Sequence, residues 1–173
     1  MNRRTFLLSS IASVGLISAG AVYWPERWKY IVIHHSAGAY GDIDFLRKVH
    51  KERQSKDPID AIPYHYIIGN GNGLKEGEIA SGWRQKHDVW GAHVSFRNVD
   101  YDLRGIGICL IGDHEVNPVS EPQYNALIAL TKRLMNRYGI AVDNVVGHGS
   151  IKGESTKCPG KLFPMTRFKQ DLA

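Results

Sequence analysis

Cysteine is scarce in this chain: two residues in 173 permit at most one bridge, which excludes a disulfide scaffold. An excess of charge is missing too. Lys and Arg number 22 against 17 Asp and Glu, spread along the chain with no basic cluster or basic helix. The net charge of +5 suits an anionic partner but does not argue for nucleic acid, and none is expected. There is no internal repeat and no low-complexity stretch. What remains is 43% hydrophobic and 23% charged, the balance of a soluble globular protein with one core.

The first 24 residues differ from the rest. Asn2-Arg3-Arg4-Thr5-Phe6-Leu7-Leu8 sets paired arginines ahead of an uncharged stretch over 5–24. This resembles the twin-arginine export signal, and Ala19-Gly20-Ala21 offers an A-x-A cleavage site. About 20 apolar residues also suffice to span a bilayer, so an uncleaved membrane anchor through 5–24 is the alternative. Residues 1–21 are therefore read as signal or anchor and 22–173 as the domain. The expected location is the periplasm or cell envelope.

Along the domain, a β-branched run over 29–33 ends at His34-His35 and reads as a buried strand with two histidines at its tip. Asp42 can cap a helix that carries Ile43, Leu46, Val49 and His50 on one face. A second strand over 64–68, a glycine-rich turn over 69–73 and a return over 74–79 suggest a hairpin. Residues 81–104 show no period and read as a long loop. The run 105–112 is almost continuously apolar, hence a central strand, and its glycines suggest that something packs close to its backbone. Ser120-Glu121-Pro122-Gln123 reads as a capping box opening a helix that Gly139 ends. A last strand over 142–146 leads to His148. Strands and helices alternate, so the expected class is α/β or α+β: a single mixed central β-sheet flanked by helices.

Of eight histidines, His50, His87 and His114 read as solvated or merely hydrogen-bonded side chains. His34 and His148 each follow an apolar strand, and Cys158 lies ten residues beyond His148. Two imidazoles and one thiolate are ordinary zinc ligands, and three protein ligands leave a position open for water. On spacing alone the alternative stands beside it: two histidines bonded to backbone, and a Cys109–Cys158 disulfide in an oxidising compartment.

The motifs as an ordered set go further. Ile31-Val32-Ile33-His34-His35-Ser36-Ala37, Pro63-Tyr64-His65-Tyr66-Ile67-Ile68, Gly91-Ala92-His93, Gly105-Ile106-Gly107-Ile108-Cys109-Leu110-Ile111-Gly112, Val146-Gly147-His148-Gly149 and Cys158-Pro159-Gly160 span 29–164. Together they resemble the type 2 N-acetylmuramoyl-L-alanine amidases, a superfamily that includes phage lysozyme-type amidases and peptidoglycan recognition proteins. The resemblance implies that fold, one Zn2+ ion, and cleavage of the amide between N-acetylmuramic acid and L-alanine. It implies His34, His148 and Cys158 as metal ligands, with His35 not a ligand. It gives Tyr64 the role of orienting water or stabilising the oxyanion, and His93 that of a groove histidine that contacts substrate.

Two departures stand out. Thr156 occupies a place where many members carry Lys, and a hydroxyl offers a hydrogen bond but no positive charge. Cys109 falls where another branch carries a catalytic Glu, and it reads here as core packing. Trp83 and Trp90 could line a sugar or peptide wall or pack in the core. Arg84, Arg97 and Arg104 could pair with stem-peptide carboxylates, or be solvated surface charges. The expected partner is peptidoglycan or a muropeptide, bound by a monomer. Two competing readings share the fold: a non-catalytic peptidoglycan-binding module, and a zinc peptidase acting on the stem peptide.

Overall fold

The computed structural model describes residues 27–173. The signal or anchor reading of 1–21 and 5–24 lies outside the described residues. Five strands form one sheet: β1 (Tyr30–His35), β2 (Tyr66–Ile68), β3 (Ile79–Ser81), β4 (Gly105–Leu110) and β5 (Val145–Gly147), in the order β3-β2-β4-β1-β5. Only β3 runs antiparallel to its neighbour, so the sheet is mixed, and the apolar run expected to be central is its middle strand.

Alternation along the strands sorts the two faces. Ile31, Ile33, Ile106, Ile108, Leu110, Tyr66 and Ile68 point to one side. There they meet Tyr124, Leu127, Leu130 and Leu134 of a long helix and Phe168 and Leu172 of the C-terminal one. Residues one position along, Ile67 and Cys109, face the other side with Leu46 and Ile62. The described residues hold five helices: α1 (Ile43–Arg53), α2 (Trp83–Lys86), α3 (Val99–Arg104), α4 (Glu121–Tyr138) and α5 (Met165–Leu172). Asp42 caps α1 by accepting from the Phe45 N–H at 2.8 Å. Gly139 ends α4 in the left-handed conformation.

Three local expectations need correction. The stretch 81–104 is not a bare loop: it holds α2, a 3-10 turn over Phe96–Asn98, and α3. Helices of four and six residues are too short for a 3.6-residue period to show in sequence. The capping box at Ser120 is only half made. Ser120 accepts from the Gln123 N–H, but the Gln123 amide turns inward and donates to the carbonyls of Ile68 and Ile111 at 3.0 and 2.9 Å. It seals two strand ends in place of the helix start. The last strand is also shorter than expected, because Val142–Asn144 forms a 3-10 turn before β5.

Among the described residues no helix is long and apolar enough to cross a membrane.

Candidate metal centre and groove

Parallel pairing explains how two histidines 114 positions apart meet. Ile33 of β1 is in register with Gly147 of β5, so the next residues, His34 and His148, leave the same sheet edge side by side. Their ring centroids lie 4.7 Å apart. Cys158 is brought in by the following loop, where the Gly149 N–H donates to the Cys158 carbonyl at 2.6 Å. A side chain at 149 would meet the Thr156 carbonyl at 2.5 Å, so glycine is what permits the approach.

One ligand atom from each of His34, His148 and Cys158 falls within 4.8 Å of the other two. His34 Nδ1 and Cys158 Sγ are 3.6 Å apart. Two donors around one tetrahedral zinc sit about 3.5 Å apart, so the His34–Cys158 pair already has that spacing, and His148 is near enough to complete the set with a small adjustment.

The hydrogen-bond partners fix which nitrogens are bare. His93 Nε2 faces the Gly105 carbonyl at 3.4 Å, an acceptor only, so that nitrogen carries the proton. His93 Nδ1 must then accept from His34 Nε2 at 3.2 Å, which leaves His34 Nδ1 bare toward Cys158. His148 Nε2 lies 3.1 Å from a Glu154 oxygen, so it holds the proton and His148 Nδ1 is bare too. Burial, and then the neighbouring histidines, holds His34 well below the ordinary histidine range. Burial lowers His148 as well, opposed by Glu154. Both rings are therefore neutral at pH 7, the form in which an imidazole could hold a metal. Burial pushes the Cys158 thiol up to about 12, although the His35 N–H, 3.3 Å from the sulfur, pulls the other way. A cation bound beside it would ionise it at neutral pH.

His35 turns away from this cluster, its Nδ1 accepting from the His114 N–H at 3.1 Å. Both cysteines are free, so the Cys109–Cys158 bridge is not formed; Cys109 is fully buried in the sheet layer.

Tyr64 stands over the centre, its ring 5.0 Å from that of His34. Burial, then the nearby cysteines, including a hydrogen bond from the phenol to Cys109, raises its phenol well above the usual tyrosine value, so it stays protonated at neutral pH. A small groove of about 100 Å³ runs from Tyr64 and Ser36 along α1 to Arg53. Thr156 is exposed, and its hydroxyl oxygen accepts from the Cys158 N–H at 3.2 Å, which leaves its own proton free. Arg97 is exposed beside Phe96, on the turn that rims a larger cleft of about 760 Å³. Trp83 is 43% exposed and stacks on His87, and Trp90 is equally exposed in the wall of that cleft, so neither is a core residue.

Some readings change. The His93 side chain is fully buried and does not line a groove; it sits behind His34. Gly107 makes room for it, since a Cβ there would come 2.5 Å from the ring. Arg84 is no substrate-facing cation either. It is fully buried, donating to the Ile62 and Trp90 carbonyls at 2.9 and 2.7 Å and pairing with Asp57, which also bonds His50 at 2.8 Å. His50 and His114 keep the hydrogen-bonded alternative of their sequence reading: both are buried, His50 bonded to Asp57 and His114 to the Asn117 carbonyl at 3.1 Å. Arg104 is engaged with Asp100 at 3.5 Å on the same helix.

Two carboxylates went unnoticed in the sequence. Asp102 accepts from the His93 N–H at 2.7 Å, and burial raises it to about 6 against those backbone bonds. Glu154 holds His148 and three donors from 95–98. Burial would raise it, but bonds from Ser95, Asn98 and His148 outweigh that and bring it to about 2. The available signal was that Glu154 is the only acidic residue between His148 and Cys158.

Residues 24–161 match the family described as Amidase_2, N-acetylmuramoyl-L-alanine amidase. The chain belongs to this family. The amidase is 29% identical over 136 residues to peptidoglycan-recognition protein SC2 of Drosophila melanogaster, covering 76% of this chain and 67% of that protein. It is 28% identical over 152 residues to the N-acetylmuramoyl-L-alanine amidase AmiD of Escherichia coli, covering 83% of this chain and 53% of AmiD. Among solved structures, the amidase LysC of Clostridium intestinale superposes with a TM-score of 0.71 at 27% identity, over 86% of this chain and 87% of LysC. The bumblebee recognition protein PGRP-SA, at 22% identity and a TM-score of 0.62 over 83% and 81%, shares the fold. The chain is thus an N-acetylmuramoyl-L-alanine amidase acting on peptidoglycan.

Proposed function

We propose that the amidase is zinc-dependent and cuts the amide between N-acetylmuramic acid and L-alanine in peptidoglycan or released muropeptides. The observation that carries this is the convergence of His34, His148 and Cys158, with a bare His34 Nδ1 facing the Cys158 sulfur and His148 Nε2 taken up by Glu154. Bound there, zinc lowers the pKa of a water to about 7 and polarises a carbonyl.

The chain's own residues do the rest. His93 and Glu154 hold the two imidazoles in one tautomer and orientation. His148, with 17% of its side chain exposed, marks the open side of the cluster. From above His34, the neutral Tyr64 phenol donates to the oxygen on which negative charge develops. Thr156 braces the Cys158 backbone with its oxygen and has its own O–H free for the same developing charge. Donors of this kind act most strongly where water is excluded. The paired arginines and uncharged run over 2–24 support export to the envelope, with residues 1–21 as signal or anchor.

The test is Cys158→Ala, with bound zinc measured by mass spectrometry of the metal and turnover measured on a muropeptide. Loss of both is expected. Full activity in zinc-free variant protein would refute the assignment, and zinc-replete wild type that binds without cutting would favour the binding-module reading.

A further inference from the structure

Glu154 lies in the short segment between two ligands, and 5% of its side chain is exposed. One carboxylate oxygen faces His148 Nε2 at 3.1 Å. The other accepts three bonds: from the Ser95 N–H at 2.9 Å, the Ser95 hydroxyl at 2.7 Å and the Asn98 amide at 2.7 Å. Four donors converge on one group, and only an acceptor-only side chain satisfies all of them. Ser95 and Asn98 bracket the 3-10 turn, whose Phe96 is 92% exposed and whose Arg97 also faces solvent. The same carboxylate therefore grips a metal ligand with one oxygen and the base of the cleft-rimming turn with the other.

We propose that Glu154 is a positioning residue that orients His148 for the metal and couples metal binding to the order of the 95–98 turn. The inference rests on the zinc reading of the cluster. Holding Nε2 protonated leaves Nδ1 as the only ligating nitrogen and removes the ring flip that would otherwise compete with binding. Because the turn hangs from the same carboxylate, the coupling is reciprocal. Metal on His148 steadies Glu154 and through it Ser95 and Asn98, and a fixed turn in turn steadies the ligand.

The experiment uses the full chain and zinc alone as the probe, with affinity read by competition against a chromophoric chelator. Glu154→Ala is expected to weaken zinc about 10- to 100-fold. Glu154→Gln, which keeps an acceptor but sets an NH2 against other donors, is expected to fall between it and wild type. The second measurement needs no variant: zinc should slow amide hydrogen exchange at 95–98 in the wild type, and that slowing should vanish in Glu154→Ala. Unchanged affinity in folded Glu154→Ala overturns the proposal, as does wild-type exchange at 95–98 that ignores zinc. If wild-type protein binds no zinc, the metal reading itself fails and this inference with it. Wild type that binds zinc beside an equally tight Glu154→Ala overturns the inference alone.

Discussion

His93 Nδ1 lies 3.2 Å from His34 Nε2, with the far side of the His93 ring against the Gly105 carbonyl. A backbone carbonyl in the central strand thus dictates, through one intervening ring, which nitrogen of His34 is bare. Outer partners of this kind fix the tautomer and ring orientation of a metal-binding histidine.

His93→Leu removes the acceptor and leaves a buried His34 N–H unsatisfied. The expected cost is about 1–3 kcal/mol of stability, with about 10- to 100-fold weaker zinc binding. His93→Asn, which can still accept, should lose less. Urea denaturation and chelator competition measure the two effects, and zinc affinity equal to wild type in His93→Leu would contradict the tautomer argument.

Tyr64→Phe keeps the ring over His34 but loses the phenolic donor. Zinc content should stay at the wild-type level while kcat falls by about 10²–10³, the scale for a single oxyanion donor. Steady-state kinetics beside metal analysis checks this. An unchanged kcat would remove Tyr64 from the chemistry.

Arg84→Ala should act on stability, not on substrate affinity. It leaves Asp57 buried without its cation, and breaking one partner of such a pair costs about 3–5 kcal/mol. A shift in thermal midpoint is expected. A variant of wild-type stability with a raised KM would restore the substrate-pairing role.

Acid should destabilise the fold before it reaches the carboxylate range. Burial lowers His65 from 6.5 to about 3, and its Nδ1 accepts from the Gly107 N–H at 3.0 Å. A histidine lowered in the fold contributes stability that is fully present above the unfolded pKa near 6.5. That contribution is lost as pH falls toward 3, because the unfolded chain binds the proton first. His34 and His93 shift in the same direction. Asp102, raised to about 6, opposes them, since its share is present at low pH and is lost as pH rises through that value. His35, His114 and His148 are lowered as well, so six histidines against one raised carboxyl set the net sign. Urea midpoints should fall steadily from pH 7 to pH 4, and a flat profile would contradict the burial of neutral imidazoles.

The strands and α4 were legible because alternation and periodicity are local signals, and the glycines of 105–112 announced the close packing that the His93 ring supplies at Gly107. The ordered motifs singled out His34, His148, Cys158 and Tyr64. What could not be read was long-range polar pairing. Arg84 looked like a surface cation because nothing in its neighbourhood of sequence shows Asp57, 27 positions away. His93 looked like a groove residue because its burial depends on a glycine in a strand it does not belong to. Glu154 was hidden for the same reason: its partners come from 95–98, inside a stretch whose short helices left no period.

The central claim is tested most directly by incubating defined muropeptides with the protein, with and without a chelator, and weighing the products by mass spectrometry. The account predicts release of an intact stem peptide beginning at L-alanine, abolished by chelation and restored by zinc. Cleavage within the stem, or amide cleavage that survives complete removal of metal, would contradict it.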